Sequence, residues 1–566
     1  VFSLFNTNLF TTLAAKIFKM MTYFRIGFTI VFILFFNELT KAQLSPAENT
    51  KTPKVVMGIV VENMRPDYVQ RYWLKFGENG FKKLYTLGAV CSNVQLKQHI
   101  QNYASGTATL FTGVTPATHG IINKNWFDKF NEQETECVDD KLFMSVGSDT
   151  KQGNASPKKL LSNTITDNLK IFSMGKSKVF SVALNRESAI FAAGHAANAA
   201  YWFDTESGRM ISSSFYVNMF PDWVRLFNSE NYAEKYSYRN WTPLLPEINY
   251  SESLRDDYEL EKGYFGTFKI FPHTISKYLK EAGNFTPFKT TPSANMMIKD
   301  FALQILQNED IGNDEYPDFV TTVFSSMDYE NNSFGPVSLE MQDTYLNIDR
   351  FIADIITAVE KKFGEGNVLF FLTANTSASY PADYLKKEFH LPVDYFNVEN
   401  AVALLNSYLN ITYGEEKWVE YYDEHQIYVN HKLIAKNKLD LNEFQNTVAT
   451  FIDEFEGVLV AMPAYLLERG IQANGMLESM YKTYVKGRSG DCLFVLKEGW
   501  QPQYKFKKVN YTDQTHIPLV FYGTNIRPGK INGKYDAVDL VPTLSEILKI
   551  PFPDKTQGKI ISELFY

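Results

Sequence analysis

Five runs in the chain are almost continuously apolar: Lys54–Val61 (KVVMGIVV), Val179–Leu184, Phe319–Phe324, Val368–Leu372 and Ile517–Tyr522. A strand with one wet face alternates polar and apolar residues. A strand buried on both faces does not, and burial on both faces marks a parallel sheet covered by helices. Segments between the runs carry helical periodicity. In Asp343–Phe363 the residues Ile348, Ile352, Ile355, Ile356 and Val359 form one apolar stripe, and Gly364 and Gly366 stop the helix just before the next run. Strand and helix in alternation predict an α/β fold, a three-layer α/β/α sandwich around a mainly parallel central sheet. Residues 385–500 break this rhythm: Tyr, Asn, Lys and Glu are frequent and the strands are less apolar. They read as a cap subdomain inserted over the carboxyl edge of the sheet, with 43–384 and 501–566 forming the core.

The N-terminal stretch reads as an address. Arg25 precedes an apolar run from Ile26 to Phe36, too short for a comfortable membrane span, and Thr40-Lys41-Ala42 follows with small residues at signal-peptidase spacing. Residues 20–42 are expected to be a cleaved signal peptide, against the competing reading of a short membrane anchor. Residues 1–19, ahead of the Met20–Met21 pair, read as an over-extended gene start. No later apolar run reaches about 18 residues, so the mature chain is expected in the periplasm without a membrane span of its own. With 21% charged residues, 33 Tyr and 45 Phe, the chain can bury a large core. Its net charge of −8 leaves no basic excess to neutralise a nucleic-acid backbone. Cys91, Cys137 and Cys492 lie far apart with no CxxC spacing, which excludes a disulfide framework and a thiolate zinc site but leaves room for one bridge.

In open parallel sheets the residues that follow each strand converge at the carboxyl edge, where ligands bind. Here those residues are Glu62, Asn185–Glu187, Asp328 and Asn375–Thr376, with His516 opening the last run.

Six stretches, taken in order, carry a family resemblance: GIVVENMRPDY (58–68), LFTGVTPATHGII (110–122), AGHAANAAYWFD (193–204), SSMDYENNSFGP (325–336), FLTANTSAS (371–379) and TDQTHIPLVFYG (512–523). Together they resemble the alkaline phosphatase superfamily over about residues 53–560. Within it the chain is similar to the secreted bacterial phosphomonoesterases with a Thr nucleophile, a group like the type I phosphodiesterase/nucleotide pyrophosphatases. The resemblance implies an α/β/α sandwich with an inserted cap. In active members it implies two zinc ions about 4 Å apart that stabilise both apical oxygens of an in-line displacement.

Carried over residue by residue, the same resemblance implies a dismantled site. The metal-binding Asp after the first strand is Glu62 here. The turn that bears the nucleophilic Thr reads Tyr103-Ala104-Ser105-Gly106-Thr107, so the nucleophile falls on Tyr103, with Ser105 and Thr107 close by. The phosphate-contacting Asn falls on Lys124, and the Lys-x-Arg phosphate clamp falls on Asn185 and Glu187. Of the metal ligands after the Phe319 run Asp328 remains, while the His becomes Asn332. The Asp-His pair after the Val368 run becomes Asn375-Thr376, and the last His matches His516. His119 and His195 match positions that are not ligands in the family, and structural roles are expected for both.

Zinc prefers imidazole, thiolate or carboxylate; neutral amide and hydroxyl oxygens are weak substitutes. Glu187 places negative charge where a phosphate dianion would sit, and a Tyr103 phenol needs a metal or base to deprotonate it. Lys124 is expected to pair with Glu187 or Glu62 rather than to hold an anion. The chain is therefore expected to be an exported phosphatase homologue that has lost catalysis, holds no cofactor, and serves as a binding or structural component alongside another envelope protein or membrane-protein complex. The alternative is an active metal-dependent hydrolase of phosphate or sulfate esters with an altered site, which would require zinc.

Overall fold

Every residue of β1 (Val55–Glu62) is buried, as an unbroken apolar run requires of a strand covered on both faces. The structure, a computed structural model, describes residues 51–326, 334–470, 475–505, 507, 508 and 515–565. The expected signal peptide 20–42, the stretch 1–19, and the family positions Asp328 and Asn332 lie outside the described residues. Everything below belongs to the unit Thr52–Tyr566.

β1 lies inside a ten-stranded sheet with β2 (Ala89–Gln95), β3 (Ser145–Val146), β4 (Val179–Ala183), β5 (Ala199–Asp204), β6 (Arg209–Ser213), β7 (Asp318–Ser325), β8 (Val368–Thr373), β9 (His516–Gly523) and β10 (Gly529–Asp536). The order is β10-β2-β9-β8-β1-β7-β4-β5-β6-β3. Neighbours among β8, β1, β7, β4 and β5 pair in parallel, and β10 is parallel to β2. β9 runs antiparallel between β8 and β2. The Ile517–Tyr522 run predicted a buried strand but could not give its direction, because burial on both faces leaves the same signature either way. β10 (GKINGKYD) lies at the sheet edge and is half polar, so no apolar run announced it.

Helices cover both faces. On β7, Phe319 and Phe324 are five residues apart and so point to opposite faces. Phe319 meets Phe111 of α1 (Tyr103–Thr112) at 6.3 Å between ring centroids. Beyond α2 (Arg186–Ala193), the long α3 (Leu339–Phe363) packs Phe351 on Phe324 at 6.4 Å. The expected stripe from Ile348 to Val359 is buried. α3 begins before that stripe because the Ser338 hydroxyl accepts the Met341 N–H at 3.0 Å, an N-cap. It ends at Gly364, whose φ of 82° suits glycine. Gly58 of β1 is required by packing: a Cβ there would lie 2.6 Å from the Phe371 ring of β8.

A second apolar core gathers Phe396, Leu405, Trp418, Ile427, Phe444, Val448 and Phe494. It packs around a four-stranded sheet of Val419–Tyr422, Gln426–Val429, Cys492–Leu496 and Val458–Pro463. Polar contacts join this core to the larger one. Arg488 Nη1 donates to the Gly120 and Lys159 carbonyls at 2.6 and 2.8 Å, and the ring of His99 lies 2.9 Å from the Phe494 carbonyl. The three cysteines are buried and free, so the bridge left open by the sequence does not form.

Candidate functional site

The parallel strands place their ends on one edge. Glu62 closes β1 opposite Ser325 at the end of β7. Val60 lies opposite Thr373, so the residues that follow β8 come level with Glu62. His516 opens the antiparallel β9 at this same edge, opposite Gln95 of β2.

Glu62 is 2% exposed, and such a carboxylate needs donors. Asn185 Nδ2 donates to Glu62 Oε2 at 2.7 Å, and Ser188 Oγ donates to Glu62 Oε1. Both donors follow β4. Asn185 stands at the N-cap of α2, but its side chain caps nothing there and turns to Glu62 instead. Ser188 is three residues on, over the same turn. The amide oxygen of Asn185 accepts Lys289 Nζ at 2.5 Å, so a cation reaches the carboxylate through one amide. Ser326 Oγ donates to the Glu62 carbonyl at 2.6 Å.

The loop after β8 makes the second half. Asn375 and Thr376 are fully buried. Asn375 Nδ2 donates to Thr107 Oγ1 at 3.0 Å and more weakly to the Tyr103 carbonyl at 3.4 Å; Thr376 Oγ1 donates to Asn63 Oδ1 at 2.5 Å. Gly106 permits the approach: a Cβ there would come within 1.8 Å of the Asn375 carbonyl oxygen. Asn102 caps α1 by accepting the Ser105 N–H at 2.9 Å, which sets half-buried Tyr103 at the first helical position. Lys124 Nζ stands 5.7 Å from the centre of the Tyr103 ring. Ser105 Oγ is bonded by Gln98 at 2.7 Å, Thr107 Oγ1 donates to the Tyr103 carbonyl at 2.6 Å, and both residues are fully buried. Neither hydroxyl replaces a nucleophile at position 103.

Glu187 is 3% exposed and lies 3.2 Å from Arg186 Nε. Burial pushes its pKa up, but the charges of Arg186 and Lys124 outweigh burial and hold it below the ordinary carboxylate value. Lys124 is thus one of the charges that act on Glu187. His516 is exposed, with Gln95 Nε2 at 3.4 Å from its Nε2.

The two histidines expected to be structural are so placed. His119 is fully buried, 3.0 Å from Thr109 Oγ1, and burial lowers its pKa to about 3. Burial also works against protonation of His195, but the bond to Asp167 at 2.8 Å prevails and raises its pKa. Sequence reasoning missed Ser188, Lys289, Asn63 and Ser326. Ser188 was within reach, one helical turn after Asn185; Lys289 had no signal, since it arrives from a short helix (Thr286–Lys289) a hundred residues away.

The model for type I phosphodiesterase / nucleotide pyrophosphatase matches residues 56–518. Alkaline phosphatase PafA of Elizabethkingia meningoseptica is 33% identical over 521 residues, covering 90% of this chain and 94% of that protein. Alkaline phosphatase PhoV of Synechococcus elongatus is 31% identical over 546 residues, covering 93% and 96%. The crystal structure of wild-type PafA superposes with a TM-score of 0.86 at 31% identity, over 92% of this chain and all of that one. The chain belongs to the type I phosphodiesterase / nucleotide pyrophosphatase family, within the alkaline phosphatase superfamily.

Proposed function

We propose that this protein keeps the phosphatase fold without phosphatase chemistry, and works as a binding or structural component of the cell envelope. The observation that carries the reading is the state of Glu62. Both of its carboxylate oxygens are engaged by neutral donors, the Asn185 amide and the Ser188 hydroxyl. These bonds turn the carboxylate toward the start of α2, and the side chains that come level with it after β8, Asn375 and Thr376, are a neutral amide and hydroxyl, weak ligands for zinc.

Other residues agree. Among the described residues the donors do not suit a zinc pair: the Asn375 amide turns its N–H donors toward Thr107 and Tyr103, and the Thr376 hydroxyl donates to Asn63. A phosphoryl group would meet the charge of Glu187. The phenol of Tyr103 is a poor nucleophile near neutral pH. Export rests on the apolar run 26–36 and its flanks. Among the described residues no helix is long and apolar enough to cross a membrane. The partner is expected to be an envelope protein or membrane-protein complex.

The test is hydrolysis of a generic aryl phosphate and an aryl sulfate, with zinc supplied, beside the same chain carrying Glu62→Ala. Equal, background-level rates support the reading. Turnover that Glu62→Ala removes supports an active metal-dependent ester hydrolase instead.

A further inference from the structure

Away from Glu62, but on the same edge of the sheet, lies a cavity of about 430 Å³ lined by Lys97, Lys482, Lys534, Lys559, Tyr535 and Asp536 among others. Ligand pockets are commonly of this size. Its position follows from the register: Gln95 lies opposite His516 on one side and Asp536 on the other. Four separate segments supply the lysines. Lys97 follows β2, Lys534 lies in β10, Lys559 sits near the C-terminus, and Lys482 belongs to α4 (Met476–Thr483).

The carboxylates of this cavity are spoken for. Asp536 faces Lys97 at 3.2 Å and Lys482 at 3.8 Å, while Lys482 also meets Glu478 at 2.9 Å. Asp539 accepts the backbone N–H groups of Asp536 and Lys559, both at 2.8 Å. Among the described residues no carboxylate lies within ion-pair distance of Lys534 or Lys559; Lys559 Nζ instead stands 5.6 Å from the Tyr535 ring centre. Four lysines against two aspartates leave the lining itself with a charge of about +2 (4 − 2), in a chain whose net charge is −8; outside the lining, Glu478 acts on Lys482, Lys97 and Lys534, and Glu563 on Lys559, which offsets part of it. Concave walls of one sign concentrate the opposite ion.

We propose that this cavity binds a diphosphate-like anion, with Lys534 and Lys559 as the principal contacts and Lys97 and Lys482 completing the ring. The inference goes beyond the reading of the Glu62 site and does not depend on it. Because α4 lies in the segment between β8 and β9 while the other lysines belong to the main sheet and its C-terminal extension, the bound anion also ties that segment to the sheet.

The test uses the full chain, titrated calorimetrically with pyrophosphate at low ionic strength, and sedimented with vesicles of phosphatidic acid or phosphatidylcholine. Saturable pyrophosphate binding that weakens at least about tenfold in Lys534→Met/Lys559→Met, and further in Lys534→Glu/Lys559→Glu, where the charge is reversed, is expected; tenfold corresponds to about 1.4 kcal/mol. Both lysines are exposed, so the variants are expected to fold, which far-UV circular dichroism checks. Sedimentation with phosphatidic acid vesicles alone, lost in the same variants, identifies a lipid headgroup as the source. Pyrophosphate binding without vesicle binding identifies a soluble one. No saturable binding of either probe, equal affinity in the double variants, or loss of binding in Lys289→Met with the cavity lysines intact overturns the proposal.

Discussion

Replacing Asn185 by Ala separates a carboxylate held by the protein from one reserved for a metal. The change removes the 2.7 Å bond to Glu62 Oε2 and the 2.5 Å acceptor of Lys289 Nζ. A hydrogen bond to a charged group contributes about 1.5–3 kcal/mol when its loss leaves the charge buried. Glu62 is 2% exposed and takes the full value. Lys289 is half-buried, so water recovers most of its loss. The expected destabilisation is therefore about 1.5–3 kcal/mol, read as a lower urea midpoint in the tryptophan fluorescence transition. Ser188→Ala should give a similar loss, and the double variant less than the sum, since both act on one carboxylate. Adding Glu62→Gln to Asn185→Ala should recover part of the loss, because an unpaired amide costs less to bury than an unpaired charge. Zinc should not rescue any of these variants. A midpoint unchanged by Asn185→Ala, or wild-type stability that climbs with zinc as mass action requires of a native-state ligand, would refute the reasoning.

Gly106→Ala drives a methyl to within 1.8 Å of the Asn375 carbonyl; overpacking of this kind costs about 1–3 kcal/mol, measurable as a lower thermal midpoint, and a neutral result would place α1 farther from the β8 loop. Burial lowers the pKa of His99 from 6.5 to about 4, so the unfolded chain binds more protons below pH 6.5; its contribution, about 3 kcal/mol, is present above 6.5 and lost as pH falls to about 4. His99→Gln should flatten the decline of the urea midpoint over that window. Glu261, whose carboxylate oxygens are buried and unpartnered, has its pKa raised by burial to about 9: stability present below 4.5 is lost as pH rises toward 9, so Glu261→Gln should stabilise the protein increasingly from pH 5 to 9. Thiol titration should find no reactive cysteine in the native protein and three after unfolding.

The sequence revealed most of the strands buried on both faces, though not β5 (AAYWFD), which is buried throughout but was not read as an apolar run. β1, β4, β7, β8 and β9 were each legible as apolar runs, and α3 as a stripe. β10 was not, because an edge strand of Gly, Lys and Asn carries no such signal, and neither was the direction of β9, which only pairing decides. At the site, the positions after each strand could be named because topology brings strand ends together. Their bonding could not. That Glu62 would be held by Asn185 and Ser188 depends on side-chain directions at the start of α2, and Lys289 joins from a segment with no sequence pattern pointing to Glu62. The lysine cavity was equally invisible, since its four cations come from separate segments and Lys97 lies hundreds of residues before the other three.

The most direct test of the central claim is a calorimetric zinc titration of the metal-stripped protein. It is compared with the chain carrying Glu62→Asp, Tyr103→Thr, Asn332→His, Asn375→Asp and Thr376→His, the substitutions that the family comparison prescribes. The account predicts no stoichiometric zinc uptake by the natural chain and uptake approaching about two ions by the restored one. Tight binding of about two zinc ions by the natural chain, with its Glu62 left in place, would contradict it.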